Sequence, residues 1–449
     1  MNNKIKKLTF FLIFCLIVNC SFDNKTGIWS GREEEKRRAL KILEDQKKDL
    51  ITIYSSETVP LQKEIQATKN VSLSKPKKNV SWRMSGQNLQ NFTGHIYLSG
   101  VDSNFLKKKV GKNKFKIKNS TISPLVANDS IIISDDVGNI FNINQKGKIK
   151  WKRNIYKKLY KKIYKNLSLF IDKEIIYVSD NIGFIYAIKL VSGEIIWIKN
   201  QGVPLKSNLK VFDNKIFVVN QDNKVICLDA TDGSKIWDIR SISSFIKLQN
   251  FLALAISEKG DLITLSSAGD LMKIDANNGR IYWSLNATAT TFAHDTDFLN
   301  SSDIVISDDS IIFFASSSIF SFNFVNGTLN WKKNILSKIT PIIDGNNIFL
   351  VSNDGFFINL EKTSGETIWS TNILKILKKR KQKTEISGVI MGSGKIYVTT
   401  QNGFLIICSA STGKVEGFKK IGESITANPI ITNGSLYLLT KNSRILGFK

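Results

Sequence analysis

Few residues in this chain could carry out chemistry. Among 449 residues there are two histidines and four cysteines. His294 stands in Ala293-His294-Asp295-Thr296-Asp297, a grouping that offers a metal or general-base role. One histidine beside two carboxylates falls short of the usual zinc ligand sets, so a solvated loop is the preferred reading. His95, in Thr93-Gly94-His95-Ile96, is expected packed or exposed in the segment before the first repeat. Cys227 and Cys408 fall in the third and seventh repeat units defined below, too far apart in a ring for a disulfide. No Gly-rich phosphate loop or nucleophile elbow occurs. Asp229, Asp232 and Asp275 occupy turn positions. No catalytic, metal-binding or cofactor-binding residue is therefore expected.

The elements around these residues repeat. Gly-x-x-x-Trp recurs at Gly147/Trp151, Gly193/Trp197, Gly233/Trp237, Gly279/Trp283, Gly327/Trp331 and Gly365/Trp369, a spacing of about 44 residues that matches one four-stranded propeller blade. Within a unit such as Lys215 to Trp237, alternating β-branched runs are separated by turns rich in Asn, Asp and Gly, as tight hairpins require. A second turn glycine recurs at Gly183, Gly269, Gly355 and Gly403. The seventh unit carries Gly417 in place of Trp, and the eighth, from Ala427, ends without an outer strand. Val80-Ser81-Trp82-Arg83-Met84 could supply that strand. The expected fold is all-β, an eight-bladed propeller of four-stranded antiparallel blades over residues 79–449, closed by the N-terminal strand around Trp82. A seven-bladed ring is the alternative.

Lys4, Lys6 and Lys7, the apolar run Leu8 to Val18, and Cys20 form a secretory signal of bacterial lipoprotein type, with residues 1–19 removed and Cys20 lipidated. Ser21 after it is compatible with outer-membrane sorting. Residues 20–78 read as a polar tether with a short helix from Arg32 to Lys48. The net charge is +26, but the lysines are spread along the chain, so nucleic acid is not an expected partner. Two basic insertions break the repeat. Asn154 to Lys165 is expected as a short helix capping an interblade gap, with an anionic membrane or a partner as the alternative. Leu377 to Lys383 is expected as a solvated loop.

Leu228 to Trp237 (LDATDGSKIW) and Ile274 to Trp283 (IDANNGRIYW) resemble the PQQ-like propeller repeat. With the lipoprotein-like N-terminus, the chain from residue 20 onward resembles the BamB family of the outer-membrane β-barrel assembly machinery. That resemblance implies a noncatalytic periplasmic scaffold on the outer membrane. It would bind a BamA-like barrel-assembly subunit, meet unfolded outer-membrane proteins and reach outer-membrane lipid through its anchor. Pro204 to Ser207 looks like the family's Leu-Arg contact loop with Lys in place of Arg, which implies partner binding by Leu205 and Lys206. The family's acidic pair in the next interblade loop has no match in Ser241 to Asn250. The rival reading is a periplasmic PQQ-dependent dehydrogenase or other ligand-binding propeller. Such dehydrogenases carry adjacent cysteines and a calcium-binding cluster of Glu, Asn and Asp, neither of which is found here.

Overall fold

The computed structural model describes residues 63–449 apart from 116–122, 161, 242–251, 288–300, 316 and 382–383. The signal segment, Cys20, the helix expected from Arg32 to Lys48 and His294 lie outside the described residues.

Eight four-stranded antiparallel sheets surround an axis. The blades span 125–154, 167–200, 210–240, 253–286, 305–333, 342–372 and 386–420, and blade 8 joins 430–448 to Asn104–Lys109. In each blade the three strands nearest the axis are buried on both sides by neighbouring sheets, so runs such as Lys215–Val219 are almost wholly apolar. The outer strand is half in solvent and alternates, as Ile195–Asn200 does. Hairpin turns close on their own side chains: Asn220 Oδ1 accepts from the Asp222 and Lys224 N–H groups, each at 3.0 Å.

The repeated Gly and Trp act as one device between blades. Gly193 has φ +71°, and a Cβ there would come within 2.7 Å of the Trp151 ring of the preceding blade. Glycine thus permits both the left-handed turn and the seat for the indole. The Trp151 Nε1–H donates across the gap to the Leu190 carbonyl at 2.8 Å, and Trp197, Trp237, Trp283 and Trp331 repeat that bond with the next blade. Cys227 and Cys408 sit in blades 3 and 7, both as free thiols.

The closing strand differs from the sequence expectation. Asn104–Lys109 pairs with Arg444–Phe448 and completes blade 8, not the segment around Trp82. An outer strand has little to bury. NFLKKK presents only Leu106 inward, packed beside Gly147 of blade 1, with the rest in solvent. The more apolar VSWRM goes to the axis: Trp82 is 4% exposed and exchanges backbone hydrogen bonds of 2.7 and 2.8 Å with Val126, on the inner edge of blade 1.

Trp82 belongs to a strap that follows the ring. Residues 63–78, placed in the tether by the sequence, lie on the propeller. Ile65 exchanges bonds of 2.9 Å with Ser370 on the outer edge of blade 6, and the Ser74 N–H donates to Asp344 at 2.9 Å. The strap then crosses the inner strands in turn. Its carbonyls at Arg83, Leu89 and Gln90 accept from Ile171 of blade 2, Ile256 of blade 4 and Ile306 of blade 5. Ile96 and Leu98 bridge Gly392 of blade 7 and Gly434 of blade 8. The innermost strand of a blade has an edge with no neighbour, and the strap supplies the missing partners. His95 is packed, joining two passes of the strap to blade 7. Its Nδ1 lies 2.6 Å from the Ser74 carbonyl, and Nε2 accepts the Gly394 N–H at 2.6 Å.

Candidate functional site

The connections divide between two faces. On one face lie the short turns between first and second strands and between third and fourth strands, overlaid by the strap. On the other lie the turns between second and third strands and the described ends of the blade-to-blade connections, among them the insertion after blade 1. Here the axis opens as a funnel of about 720 Å³. Its wall comes from residues at or just before the start of inner strands, among them Ser168, Asn208, Thr340, Ser387 and Asn428, and the strap residue Ser85 also lines it. The lining is mostly hydroxyl and amide, with Asp180, Lys206, Asp303, Lys338 and Glu385 as charges.

Leu205 and Lys206 both line this funnel, but in different ways. Leu205 is 4% exposed and packs with Leu209, Val211 and Phe170 between blades 2 and 3. Its N–H donates to the Asp180 carbonyl at 3.2 Å. Lys206 is half-buried at the mouth, and burial holds its ammonium below the ordinary lysine range. The following loop, where the family's acidic contact would fall, is described only at Ser241, which is buried.

Asp180 is the carboxylate best placed to tempt a catalytic reading, and its bonds argue against one. Oδ1 accepts from the N–H groups of Ile182, Gly183 and Phe184 at 2.8 to 2.9 Å, while the Tyr156 hydroxyl donates to Oδ2. Burial nonetheless pushes its pKa up. Asp135 caps the equivalent turn of blade 1, and Asn220 that of blade 3. The position is a turn cap repeated around the ring. Cys227 and Cys408 are fully buried, and desolvation pushes both thiols up to about 12, far from a reactive thiolate. Among the described residues no group of three His, Cys, Asp or Glu could hold a metal ion.

Sequence reasoning missed Lys210. It begins the inner strand of blade 3, where the paired-register equivalents are Leu125, Val305, Ile342 and Ile430. A lysine at this apolar repeat position was the available signal. Fully buried, Lys210 donates to the strap carbonyls of Ser85 (3.2 Å) and Asn88 (3.0 Å) and to Asn91 Oδ1 (2.6 Å). Asn91 in turn donates to the carbonyls of Leu254 and Ile304 in blades 4 and 5. Desolvation depresses Lys210 to about 8, with the charge of Asp303 opposing. The same desolvation raises Asp303, which Asn208 links to Ser85. One lysine thus pins the strap beneath the funnel.

The insertions are less regular than expected. Among the described residues of Asn154 to Lys165 the helical part is one 3-10 turn, Lys158–Tyr160. Ile155 and Tyr156 are buried, whereas Leu159 and Ile163 stand in solvent. The Lys165 ammonium folds inward to the carbonyls of Tyr160 and Ile163 and lies 5.0 Å over the Tyr156 ring, which ends the turn. The second insertion corrects the loop reading. Ile373–Lys381 is 3-10 helix, with Leu374 and Leu377 buried against blade 6.

An eight-bladed ring with Gly-Trp docking between blades and a polar axial funnel defines a PQQ-like repeat propeller. The family model described as outer membrane protein assembly factor BamB matches residues 145–371, half of the chain, and the chain belongs to the BamB family. The outer membrane protein assembly factor BamB of Yersinia pestis is 21% identical over 277 residues, 61% of this chain and 68% of that protein. The crystal structure of BamB from Moraxella catarrhalis superimposes with a TM-score of 0.62 at 13% identity, covering 77% of this chain and all of that one. A europium-containing methanol dehydrogenase has the same fold, with a TM-score of 0.61 at 12% identity over 81% of this chain and 90% of its own.

Proposed function

We propose that this chain is a noncatalytic periplasmic scaffold of the outer-membrane β-barrel assembly machinery. In this reading it is tethered to the outer membrane through a lipidated Cys20 and docks a BamA-like subunit with its funnel face. Its membership of the BamB family carries the reading. Two features support it. The polar funnel opens on the face opposite the short turns that the strap overlays. The carboxylate most buried in the funnel, Asp180, is spent on a turn. Lys206 presents the charge to the partner, and Leu205 seats the loop from beneath. Unfolded outer-membrane proteins meet the same face. No cofactor or nucleic acid takes part.

Copurification tests this. A tagged chain from native membranes in mild detergent is expected to recover a barrel-assembly subunit, and Lys206→Glu to lower that recovery at unchanged thermal stability. Recovery of no such subunit overturns the assembly role. A stoichiometric, calcium-dependent absorbance change on adding PQQ would overturn the noncatalytic reading.

A further inference from the structure

We infer that the funnel face carries a second membrane contact, separate from the N-terminal anchor: a basic and apolar patch at blades 8, 1 and 2 that docks on an anionic phospholipid surface. Its tip is Leu159, 81% exposed, with Ile163 46% exposed beside it. Lys157, Lys158 and Lys162 surround them and are exposed. The connection from blade 8 to blade 1 adjoins this tip, since the Phe115 ring meets Tyr164 edge-on at 6.0 Å. It adds the exposed Lys112 and Lys114.

The carboxylates that could balance these lysines are turned inward. Asp136 is 5% exposed and accepts the backbone N–H groups of Lys114 (2.8 Å) and Phe115 (2.7 Å). Asp135 and Asp180 cap turns at 2% and 1% exposure. What the described residues of the patch offer to solvent is therefore mainly ammonium and aliphatic carbon. A bare leucine at the tip of a turn costs free energy in water and gains it at the boundary between headgroups and acyl chains. Lysines on flexible stems act as point charges suited to a fluid layer of phosphates. The insertion starts from the outer strand of blade 1 and ends at Asn166, on the funnel rim, so the patch and the funnel face the same way. The contact would hold the funnel close to the leaflet in which barrels are inserted.

The chain from Ser21 onward keeps every described residue and lacks both the apolar leader and Cys20, so it isolates this patch from the anchor. Cosedimentation with phosphatidylcholine vesicles containing roughly one-third phosphatidylglycerol is expected to show binding that is weak on pure phosphatidylcholine and lost near 0.5 M salt, on the order of a threefold rise above physiological ionic strength. Each lysine near such a surface contributes about fivefold in partitioning. Lys157→Glu with Lys158→Glu should therefore weaken binding at least about tenfold. Leu159→Ser should weaken it severalfold without shifting the melting temperature. The same double charge reversal at Lys146 and Lys148, on the opposite face, serves as control. Equal loss in the control, or equal binding to neutral vesicles, overturns the proposal. So does a patch variant that binds vesicles normally but loses copurification with the barrel-assembly subunit, because the patch would then be a protein contact. Failure to recover that subunit with the unaltered chain bears only on the proposed function.

Discussion

The two faces of the ring are built from the same repeats and treated in opposite ways. The face of short turns is overlaid by residues 63–98, which give hydrogen-bond partners to the inner strands of several blades and bury Trp82 and His95. On the other face the described residues leave an axial opening, with Leu159 and Ile163 in water. The covered face spends polar and apolar groups on stability, whereas the open face leaves them available. Substitutions on the two faces should accordingly differ in kind, with large stability losses on one and losses of interaction alone on the other.

The sharpest break of that contrast is at Trp82. Trp82→Ala should cost about 4 kcal/mol in denaturant unfolding, the range for a fully packed large aromatic. Among the described residues its Nε1 meets no hydrogen-bond partner, so Trp82→Phe should keep most of that stability. Lys210→Ala should cost about 3 kcal/mol, because the strap carbonyls and Asn91 lose a buried charged donor. Its pH signature is specific. Lys210 titrates near 8 in the folded chain and near its ordinary, higher value when unfolded, so between those values the unfolded chain binds more protons. The contribution of this group to stability should rise from pH 8 toward pH 10, and the rise should be missing in Lys210→Met when the two unfolding curves are compared.

Gly193→Ala should cost about 2 kcal/mol, from a left-handed φ together with overpacking against Trp151. It tests the blade seam shared by both faces. The smallest effect belongs to the open face. Leu159→Ser should change unfolding stability by less than about 0.5 kcal/mol. A loss as large as that at Trp82 would mean that the open face is also structural.

The ring was legible because each unit repeats a local rule. Gly193, Gly365 and their partner tryptophans mark a turn and a wedge within a few residues of each other, so period, strand count and blade number all follow. The closing strand was misassigned for the converse reason. VSWRM looks more like a strand than NFLKKK, but an outer edge in water rewards lysines, and only the axis rewards a tryptophan. Leu205 and Lys206 were named together from a four-residue loop, and nothing in that loop showed that Leu205 would be buried while Lys206 lines an axial funnel.

The amino-acid sequence by itself determined the eight blades, their hairpins, the Gly-Trp seams and the family. Each rests on residues close together in the chain, where hydrogen bonding and side-chain alternation decide structure. Only the tertiary structure decided that residues 63–98 wrap one face, that Lys210 reaches from blade 3 to pin them, and that the acidic groups beside Leu159 turn inward. The first two outcomes rest mainly on contacts between residues more than one hundred positions apart, and the third on bonds between separate turns, such as Asp136 with Lys114 and Phe115, so no local pattern specifies them until the ring has closed.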